Sequence, residues 1–476
     1  MEMRGSVLNG REIERIHDDS IRILEEVGVK VPSEQILTLL EAGGAQVDWD
    51  GQIARISGQM VEEALKSAPA QFTLGARNPK FDLALPSADT TLNMDGCGSN
   101  TIDFQTGKRR LALLSDLEDA AKVFDAIPSA SVLWSCVMPS DAPSGGAGVI
   151  SSAVSMLNSG KHLQDEIQSI RELPYIIQLC KAFLGSEEEV IRRKIYSATY
   201  CTVAPLCHDG EMLEGTAALT KYKAPVLLYP MPACGSTGPA SLYSNVALAN
   251  AESLSSLVIF QLAAPGTPLI YGSALGRINI RTGTFLEGAA ETELMMAAMV
   301  QMGKHYRLPT IAAGCLSDAN EPGIQSAMEK TLTTLPLILA QADVIQGIGL
   351  LESSMTLSLE QMLIDEEIFN QCRRMGAGIQ VCDEKNYFED IATVAQGGHY
   401  LKQKTTRRAF RSDEFYNSRL IISDTYDTWL SGGSKSIFDK AHQQVRQILD
   451  ADPISPVDKN TENVVREIME EAGAKL

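Results

Sequence analysis

The sequence predicts an α/β fold, a (β/α)8 TIM-type barrel with mostly helical extensions at both ends. From about residue 91, short apolar runs alternate with helix-like stretches, and this rhythm favours a parallel sheet. Several runs lack strict alternation of apolar and polar residues, as expected for strands buried on both faces. There are eight runs, a number that suits a closed barrel better than an open, doubly wound sheet.

The pattern divides the chain into an N-terminal extension over residues 1–90, a barrel over 91–360 and a C-terminal extension over 361–476. In the first part, Asn9 and Glu12 have capping-box spacing, and the helix that follows ends at Gly28. A second helix opens at Pro32 and ends at Gly43. Residues 45–90 are expected to form a small mixed unit.

The eight apolar runs define the expected barrel strands. The third run carries the most polar residues, and its loss would restore the open sheet as the alternative. Ser115 and Ser186 are expected to cap helices between the runs. In chain order the runs are Leu92–Asp95, Val132–Met138, His162–Ile167, Ser197–Val203, Pro225–Tyr229, Leu269–Ser273, Ile311–Gly314 and Val344–Ile348.

Composition and charge exclude several function classes. With 41 Lys and Arg against 60 Asp and Glu, the net charge is −19, which disfavours nucleic acid and anionic membranes as partners. The N-terminus lacks an apolar signal region, and no uninterrupted apolar run is long enough to span a membrane. Nine scattered cysteines without a CxxC pair indicate reduced thiols and a cytoplasmic location.

Familiar catalytic motifs are missing from the sequence. Gly96-Cys97-Gly98 and Gly347-Ile348-Gly349 lack the third glycine of a dinucleotide fingerprint and are expected to be tight turns. Cys201 and the Cys207-His208 pair have no evident partner pair for a zinc site, so no metal is assigned. No residue is assigned as a catalytic acid or base.

The ends of the strands indicate the expected site, because barrel enzymes carry their sites at the C-terminal ends of the strands. These positions hold three aromatic residues but few histidines or lysines, a combination that suits a cationic, quaternary ligand bound by cation–π contacts. The alternative is that the aromatic side chains belong to the core. The strand-end candidates are Asn93, Asp95, Trp134, Asp141, Tyr229, Met231, Tyr271, Ser273, Arg277, Cys315, Asp318, Gln346 and Glu352.

Several blocks of sequence resemble the trimethylamine:corrinoid methyltransferase family over nearly the whole chain. They include PGTPLIYGS (265–273), HYRLP (305–309), SDANEPGIQSAMEK (317–330), ADVIQGIGLLESSMTLSLEQMLIDEEI (342–368) and QGGHYLK (396–402). MPSDAP (138–143), GSTGPASL (235–242) and ERIHDDSIRILEEVGV (14–29) also match. The chain contains no pyrrolysine, so it resembles the pyrrolysine-free branch, whose characterised members demethylate quaternary amines. Lys404-Thr405 stands where the family usually has His-Thr, which leaves the role of that histidine open.

The resemblance implies a barrel that passes a methyl group from a quaternary amine to the Co(I) corrinoid (cobalamin) of a partner protein, with no cofactor tightly bound to this chain. Glycine betaine, which would give dimethylglycine, is the favoured substrate. Proline betaine, carnitine and γ-butyrobetaine are alternatives, and a non-catalytic betaine-binding barrel is an alternative of another class. A homo-oligomer is also expected.

The chemistry sets requirements for the site. The leaving group is a neutral amine, so no general acid is needed. A carboxylate at the nitrogen would stabilise the substrate more than the transition state, which favours neutral aromatic and amide walls. The substrate carboxylate needs donors, for which Arg277, Asn93 and the backbone near Gly96–Gly98 or Gly347 are candidates, although a salt bridge is an equal alternative for Arg277. Asp318 and Glu352 are assigned to site architecture. The complete expected substrate-binding set is Asn93, Trp134, Tyr229, Tyr271, Arg277, Asp318, Gln346, Gly347 and Glu352.

Overall fold

Eight parallel strands form a closed barrel in a computed structural model that describes residues 3–96, 98–143 and 145–476. The strands neighbour one another in chain order, and the last pairs with the first. Each of the eight expected runs overlaps one strand, so the prediction of a closed barrel is confirmed. The strands are β1 (Thr91–Asn93), β2 (Ala130–Trp134), β3 (His162–Glu166), β4 (Tyr196–Tyr200), β5 (Val226–Leu228), β6 (Leu269–Ser273), β7 (Thr310–Ala313) and β8 (Val344–Gln346).

A helix follows every strand and covers the outside of the barrel. These helices are α1 (Leu114–Asp125), α2 (Ala147–Asn158), α3 (Leu173–Leu184), α4 (Gly210–Leu219), α5 (Leu242–Ala263), α6 (Ala290–His305), α7 (Ile324–Ala340) and α8 (Leu359–Gly376). A short helix, Glu187–Arg193, follows α3. The expected domain boundaries stay a prediction, although α8 packs against α7 and continues past residue 360.

The local capping signals are mostly confirmed. Asn9 and Glu12 form the expected capping box at the start of helix Gly10–Arg22. The Ser186 side chain accepts a hydrogen bond from the backbone N–H of Glu189. The prediction for Ser115 is wrong, because α1 begins at Leu114 and its first turn is closed by Asp116, which accepts from the backbone N–H of Leu113 at 2.8 Å.

The N-terminal extension packs against the side and the lower end of the barrel. Helix Gly10–Arg22 lies against α5, where the Ser20 hydroxyl donates to the Ala247 carbonyl at 2.9 Å. Below the strands, the backbone carbonyl of Gly75 contacts Nδ1 of the buried His162 ring at 2.8 Å. The other elements of this part are helices Glu34–Ala42 and Gly58–Ser67 and strands Val29–Lys30, Gln46–Asp48, Ile53–Arg55, Phe72–Leu74 and Leu83–Leu85.

The C-terminal extension covers the other side. Its two long helices, Ile437–Leu449 and Lys459–Lys475, pack against α8 and α1 and against α2 and α3 respectively. Each buries one apolar face, with Ala441 and Val445 in the first and Val465, Ile468 and Ala472 in the second. The shorter helices are Phe388–Val394, Lys404–Ala409 and Tyr426–Ser431.

Helix α5 is apolar on all sides. Its length and mean hydropathy of 1.4 would allow it to cross a membrane, but 89% of its apolar window is buried inside the protein. A helix that is hydrophobic all round is also typical of the core of a large domain. Here it lies between the barrel and the N-terminal helices.

A buried ion pair connects the last two barrel units. Lys330 on α7 donates from Nζ to the Asp365 carboxylate on α8 at 2.8 Å, and both side chains have no exposed surface. The ammonium also donates to the Cys315 carbonyl at 2.6 Å, just after β7. The carboxylate accepts from the Gly349 N–H at 2.7 Å, just after β8. The pair therefore fixes two strand-end loops at the C-terminal mouth of the barrel.

Replacing the lysine tests this role. Lys330→Met would leave the buried Asp365 carboxylate without its cation, and loss of one partner of a buried pair costs about 3–5 kcal/mol. We expect the free energy of unfolding, measured by urea titration, to fall by that amount. Lys66→Met is the matched control, because Lys66 pairs with Glu62 on the surface and such pairs contribute about 0–1 kcal/mol. A similar loss in both variants would contradict the assignment.

Candidate active site

The barrel interior is defined by register, because side chains in register on neighbouring parallel strands face the same side of the sheet. Gln164 on β3 is in register with Trp134 on β2 and Ser197 on β4. Asn93 on β1 is in register with Gln346 on β8. Hydrogen bonds between Gln164, Asn93 and Ser197 across the barrel place this group inside it.

A network of amide side chains fills the upper interior. Nδ2 of Asn93 donates to Oε1 of Gln164 at 3.2 Å and to Oε1 of Gln346 at 3.0 Å. Nε2 of Gln346 donates to the Tyr229 hydroxyl at 2.8 Å and to Oδ1 of Asp95 at 3.3 Å. The structure thus brings three predicted site residues, Asn93, Gln346 and Tyr229, into one connected group.

Two aromatic rings form one wall of this site. The rings of Trp134 and Tyr229 meet edge to face, with centroids 6.0 Å apart and planes at 69°. Gly96 makes room for the indole, because a Cβ at this position would lie 2.1 Å from Nε1 of Trp134. Two of the three aromatic strand-end candidates, Trp134 and Tyr229, therefore contact each other in the structure.

Three carboxyl groups lie at the same mouth of the barrel. Burial raises the pKa of Asp95 to about 6, against hydrogen bonds from the Gly96 N–H and Gln346. Burial also raises the pKa of Glu166, and it raises that of Glu287 to about 8. The negative charge of Asp95 adds to the increase in both glutamates, so the three groups are electrostatically coupled.

Two buried polar atoms of the interior have no hydrogen-bond partner among the described residues. They are Oδ1 of Asn93 and Oγ1 of Thr199. Thr199 is in register with Glu166, so both side chains face the barrel interior at the same level. Buried polar atoms are nearly always paired, and these two are therefore positioned to meet a ligand or water.

Tyr271 does not join the aromatic wall, which corrects the prediction. It is in register with Leu228, the residue before Tyr229, so it faces the outer helices. Its hydroxyl donates to Oδ1 of Asn250 on α5 at 2.5 Å, and its ring centroid lies 5.7 Å from that of Tyr306. Alternation along β6 decides this placement.

The structure places two other predicted residues away from the polar network. Arg277 pairs with Glu291 at 3.2 Å, and its side chain is 38% exposed, so the salt-bridge alternative holds. Glu352 pairs with Arg109 at 2.7 Å. Both side chains therefore form ion pairs with residues outside the amide network.

Asp318 and Gly347 support the site through the backbone. Asp318 accepts from the backbone N–H groups of Glu287 at 2.8 Å and Gly288 at 3.2 Å, so it positions the loop that carries Glu287. Gly347 has a φ of 135°, and its N–H donates to the Asn93 carbonyl at 3.1 Å. A Cβ at Gly347 would lie 2.4 Å from the Gly314 carbonyl oxygen, so the close approach of these loops requires glycine.

The remaining sequence candidates are placed as follows. Cys97, in the Gly96–Gly98 segment expected to donate to a carboxylate, lies outside the described residues. Lys404 lies in the short C-terminal helix Lys404–Ala409, and its proposed replacement of a histidine stays a prediction. In the described part of the chain, no group of three or more His, Cys, Asp or Glu side chains could hold a metal ion.

Sequence reasoning missed Gln164, Glu166 and Glu287. The first two lie on the polar third run, where His162, Gln164 and Glu166 alternate and all face the interior. Alternating polar residues on a strand indicate a polar face, although from the sequence this run was noted only as the most polar of the eight. Glu287 lies in the loop after β6, and no local sequence pattern marks it as part of the mouth.

Cavity size does not locate this site. A surface cavity of about 380 Å³ is lined by residues that include Asp89, Arg373 and Tyr416. Asp89 precedes β1, so this cavity lies at the N-terminal end of the barrel, opposite the polar network. Barrel enzymes use the C-terminal end, which favours the mouth around Asp95 and Tyr229.

The raised pKa of Glu287 predicts a pH-dependent stability. Its pKa of about 8 exceeds the ordinary value of 4.5, so the folded state keeps a proton that the unfolded chain has released. The stability of the native protein should therefore fall as the pH rises from about 4.5 to 8. Glu287→Gln removes this term, and we expect its melting temperature to exceed that of the native protein by a gap that widens between about pH 5.5 and 8.5.

Scanning fluorimetry over this pH range measures the gap. Glu291→Gln, at a surface carboxylate, is the control for which the gap stays constant. A gap for Glu287→Gln that does not change with pH would contradict the buried, raised titration.

Comparisons with known proteins agree with this architecture. A family model described as trimethylamine methyltransferase (MTTB) matches residues 3–475. The trimethylamine methyltransferase MttB of Desulfitobacterium hafniense is 28% identical over 464 residues, covering 97% of this chain and 92% of that protein. The glycine betaine methyltransferase of D. hafniense strain Y51 is 29% identical over 446 residues, covering 93% and 92%.

Solved structures show the same fold. The monomethylamine methyltransferase MtmB of Methanosarcina barkeri superposes with a TM-score of 0.50 at 10% identity, covering 97% of this chain and 92% of that one. Identity this low supports the barrel fold alone. The match of the family model over almost the whole sequence carries the assignment, and the chain therefore belongs to the trimethylamine methyltransferase family of enzymes.

Proposed function

We propose that this enzyme transfers a methyl group from a quaternary amine to the Co(I) corrinoid of a partner protein. The observation that carries the proposal is the composition of the barrel mouth, where two aromatic rings and an amide network stand beside buried carboxyl groups. Aromatic faces and carboxylates both favour a cation. The family assignment supports methyl transfer as the reaction.

The roles of the residues follow from their contacts. Trp134 and Tyr229 would hold the methylated ammonium group, and Gln346 fixes the Tyr229 hydroxyl at 2.8 Å. Asn93 fixes Gln346 in turn at 3.0 Å. Departure of a neutral amine needs no general acid, so the chain's contribution is to hold the methyl group in line with its acceptor and to exclude water.

The corrinoid, bound by the partner, supplies the nucleophile that accepts the methyl group. Large apolar side chains on the loops after five strands support docking of a partner over the mouth. Exposed apolar surface of this kind is typical of interaction sites. These side chains and their exposed fractions are Leu111 (60%), Met138 (66%), Val203 (52%), Ile280 (92%) and Met355 (41%).

The proposed substrates are all quaternary amines. Glycine betaine is the candidate expected from the sequence, and one relative at 29% identity bears that name. Proline betaine, carnitine and γ-butyrobetaine are alternatives with the same chemistry. A non-catalytic betaine-binding barrel would bind without turnover. A cytoplasmic location, in keeping with the eight free cysteines of the described residues, and a homo-oligomeric state belong to the same proposal.

Methyl transfer to free Co(I) cobalamin tests the proposal. Incubation with a quaternary amine should convert the Co(I) spectrum to that of methylcobalamin. We expect Tyr229→Ala and Trp134→Ala to lower kcat/KM by about tenfold or more, because the loss of a cation–π face in a desolvated site costs about 2 kcal/mol.

Tyr271→Phe is the matched control. It should keep turnover and lose only about 1 kcal/mol of stability with the hydrogen bond to Asn250. If no quaternary amine yields methylcobalamin with the native enzyme, the proposed function is wrong.

A further inference from the structure

We infer that Asp95, Glu166 and Glu287 select a quaternary amine that carries no carboxylate, so that an uncharged, hydroxyl-bearing tail is preferred over the tail of a betaine. The inference rests on the proposed transfer from a quaternary amine, and for the same site it names a substrate class other than the betaines expected from the sequence. It rests on the placement of the three side chains, on the lack of an ion pair to any of them among the described residues and on an unpaired acceptor beneath them.

The three carboxyl groups belong to different elements that meet at the mouth. Asp95 follows β1 and contacts Gln346 of the amide network at 3.3 Å. Glu166 ends β3, where its carboxylate contacts the Cys201 thiol at 3.6 Å. Glu287 comes from the loop after β6 and accepts from the Ser354 hydroxyl at 2.7 Å. The site therefore gathers acidic groups from three different elements of the barrel.

In the described ranges, no Lys or Arg side chain forms an ion pair with Asp95, Glu166 or Glu287. The charge of Lys330 opposes the rise in the pKa of Glu287, but this side chain is fully buried in its pair with Asp365. Arg277, the candidate donor for a betaine carboxylate, pairs with Glu291. A betaine carboxylate would thus enter an acidic environment without a partner.

The unpaired atoms beneath the mouth favour a substrate that carries a hydrogen-bond donor. Oδ1 of Asn93 is a buried amide oxygen that can only accept hydrogen bonds. A substrate hydroxyl can donate to it, whereas a carboxylate cannot. Oγ1 of Thr199, at the level of Glu166, can accept from or donate to the same hydroxyl. The chemical class that fits is an amine cation with a short hydroxyalkyl tail.

The charge argument also gives the direction of a pH effect. Ionisation of Asp95 and Glu287, with pKa values of about 6 and 8, strengthens binding of a cation with an uncharged tail as the pH rises. The same ionisation weakens binding of a carboxylate. The titratable and charged groups that interact with the three carboxyl groups, directly or electrostatically, are Asp165, Glu172, Cys201, Tyr229, Asp318 and Lys330.

The carboxyl groups should act on binding more than on the chemical step. The positive charge of the ammonium is lost as the methyl group leaves, so a carboxylate stabilises the bound cation more than the transition state. Their effect should therefore appear in KM and in the dissociation constant, with little change in kcat. A purely structural role would not produce this division.

Calorimetric titration of the purified enzyme with choline and with glycine betaine tests the inference. Both probes carry a trimethylammonium group, and they differ in having a hydroxyl or a carboxylate. We expect choline to bind at least tenfold more tightly than glycine betaine at pH 8, with a ratio that increases from pH 6 to pH 8. Equal or tighter binding of glycine betaine at pH 8, or a ratio that falls with pH, would overturn the inference, as would no binding of either probe.

Glu287→Gln links the preference to the site. The amide can still accept from Ser354, and we expect the choline-to-betaine ratio to fall about tenfold at pH 8. Glu62→Gln, at a surface carboxylate that pairs with Lys66, should leave the ratio unchanged. An unchanged ratio in Glu287→Gln, with the fold confirmed by its melting transition, would remove this residue from the selection.

The two experiments test the proposed function and this inference separately. Choline preference without methylcobalamin formation would refute the proposed function alone. Turnover of glycine betaine with tighter betaine binding would refute this inference alone.

Discussion

The buried pair of Lys330 and Asp365 is the interaction on which the mouth of the barrel depends. One ammonium and one carboxylate, both inaccessible to water, hold the loops after β7 and β8 through the Cys315 carbonyl and the Gly349 N–H. Gly347, in the second of these loops, donates its N–H to the Asn93 carbonyl on β1. The closure between the last and first strands is thus coupled to the amide network, because the same backbone segments carry both.

The mouth combines two opposing demands. Neutral aromatic and amide surfaces lower the barrier for a reaction in which a positive charge disappears, whereas carboxylates increase the affinity for the substrate cation. Burial moderates this conflict by raising the pKa values of Asp95, Glu166 and Glu287. A partly protonated acidic site holds less charge in the absence of ligand and can ionise further when a cation enters. The expectation of neutral walls therefore described Trp134, Tyr229, Asn93 and Gln346 correctly. It omitted the buried carboxyl groups beside them.

Much of the fold was readable because parallel strands and their helices carry local signals. The eight apolar runs, the cap at Asn9 and the two C-terminal helices all depend on residues close together in the chain. The site was only partly readable. Tyr229 and Tyr271 look equivalent as strand-end tyrosines, yet one residue of offset between β5 and β6 turns the first inward and the second towards α5. The polar residues of the third run made it the least certain of the expected strands, and the same residues face the site.

The sequence by itself determined the barrel, its strand order and the family, because apolar periodicity and motif blocks are local properties of the chain. The tertiary structure alone decided which charged groups meet. Arg277 was the expected donor to a substrate carboxylate, but it forms an ion pair with Glu291. Further along the same loop, Glu287 interacts electrostatically with Asp95. Electrostatic interactions depend on distance and burial across elements far apart in sequence, and neither quantity is visible in the order of residues.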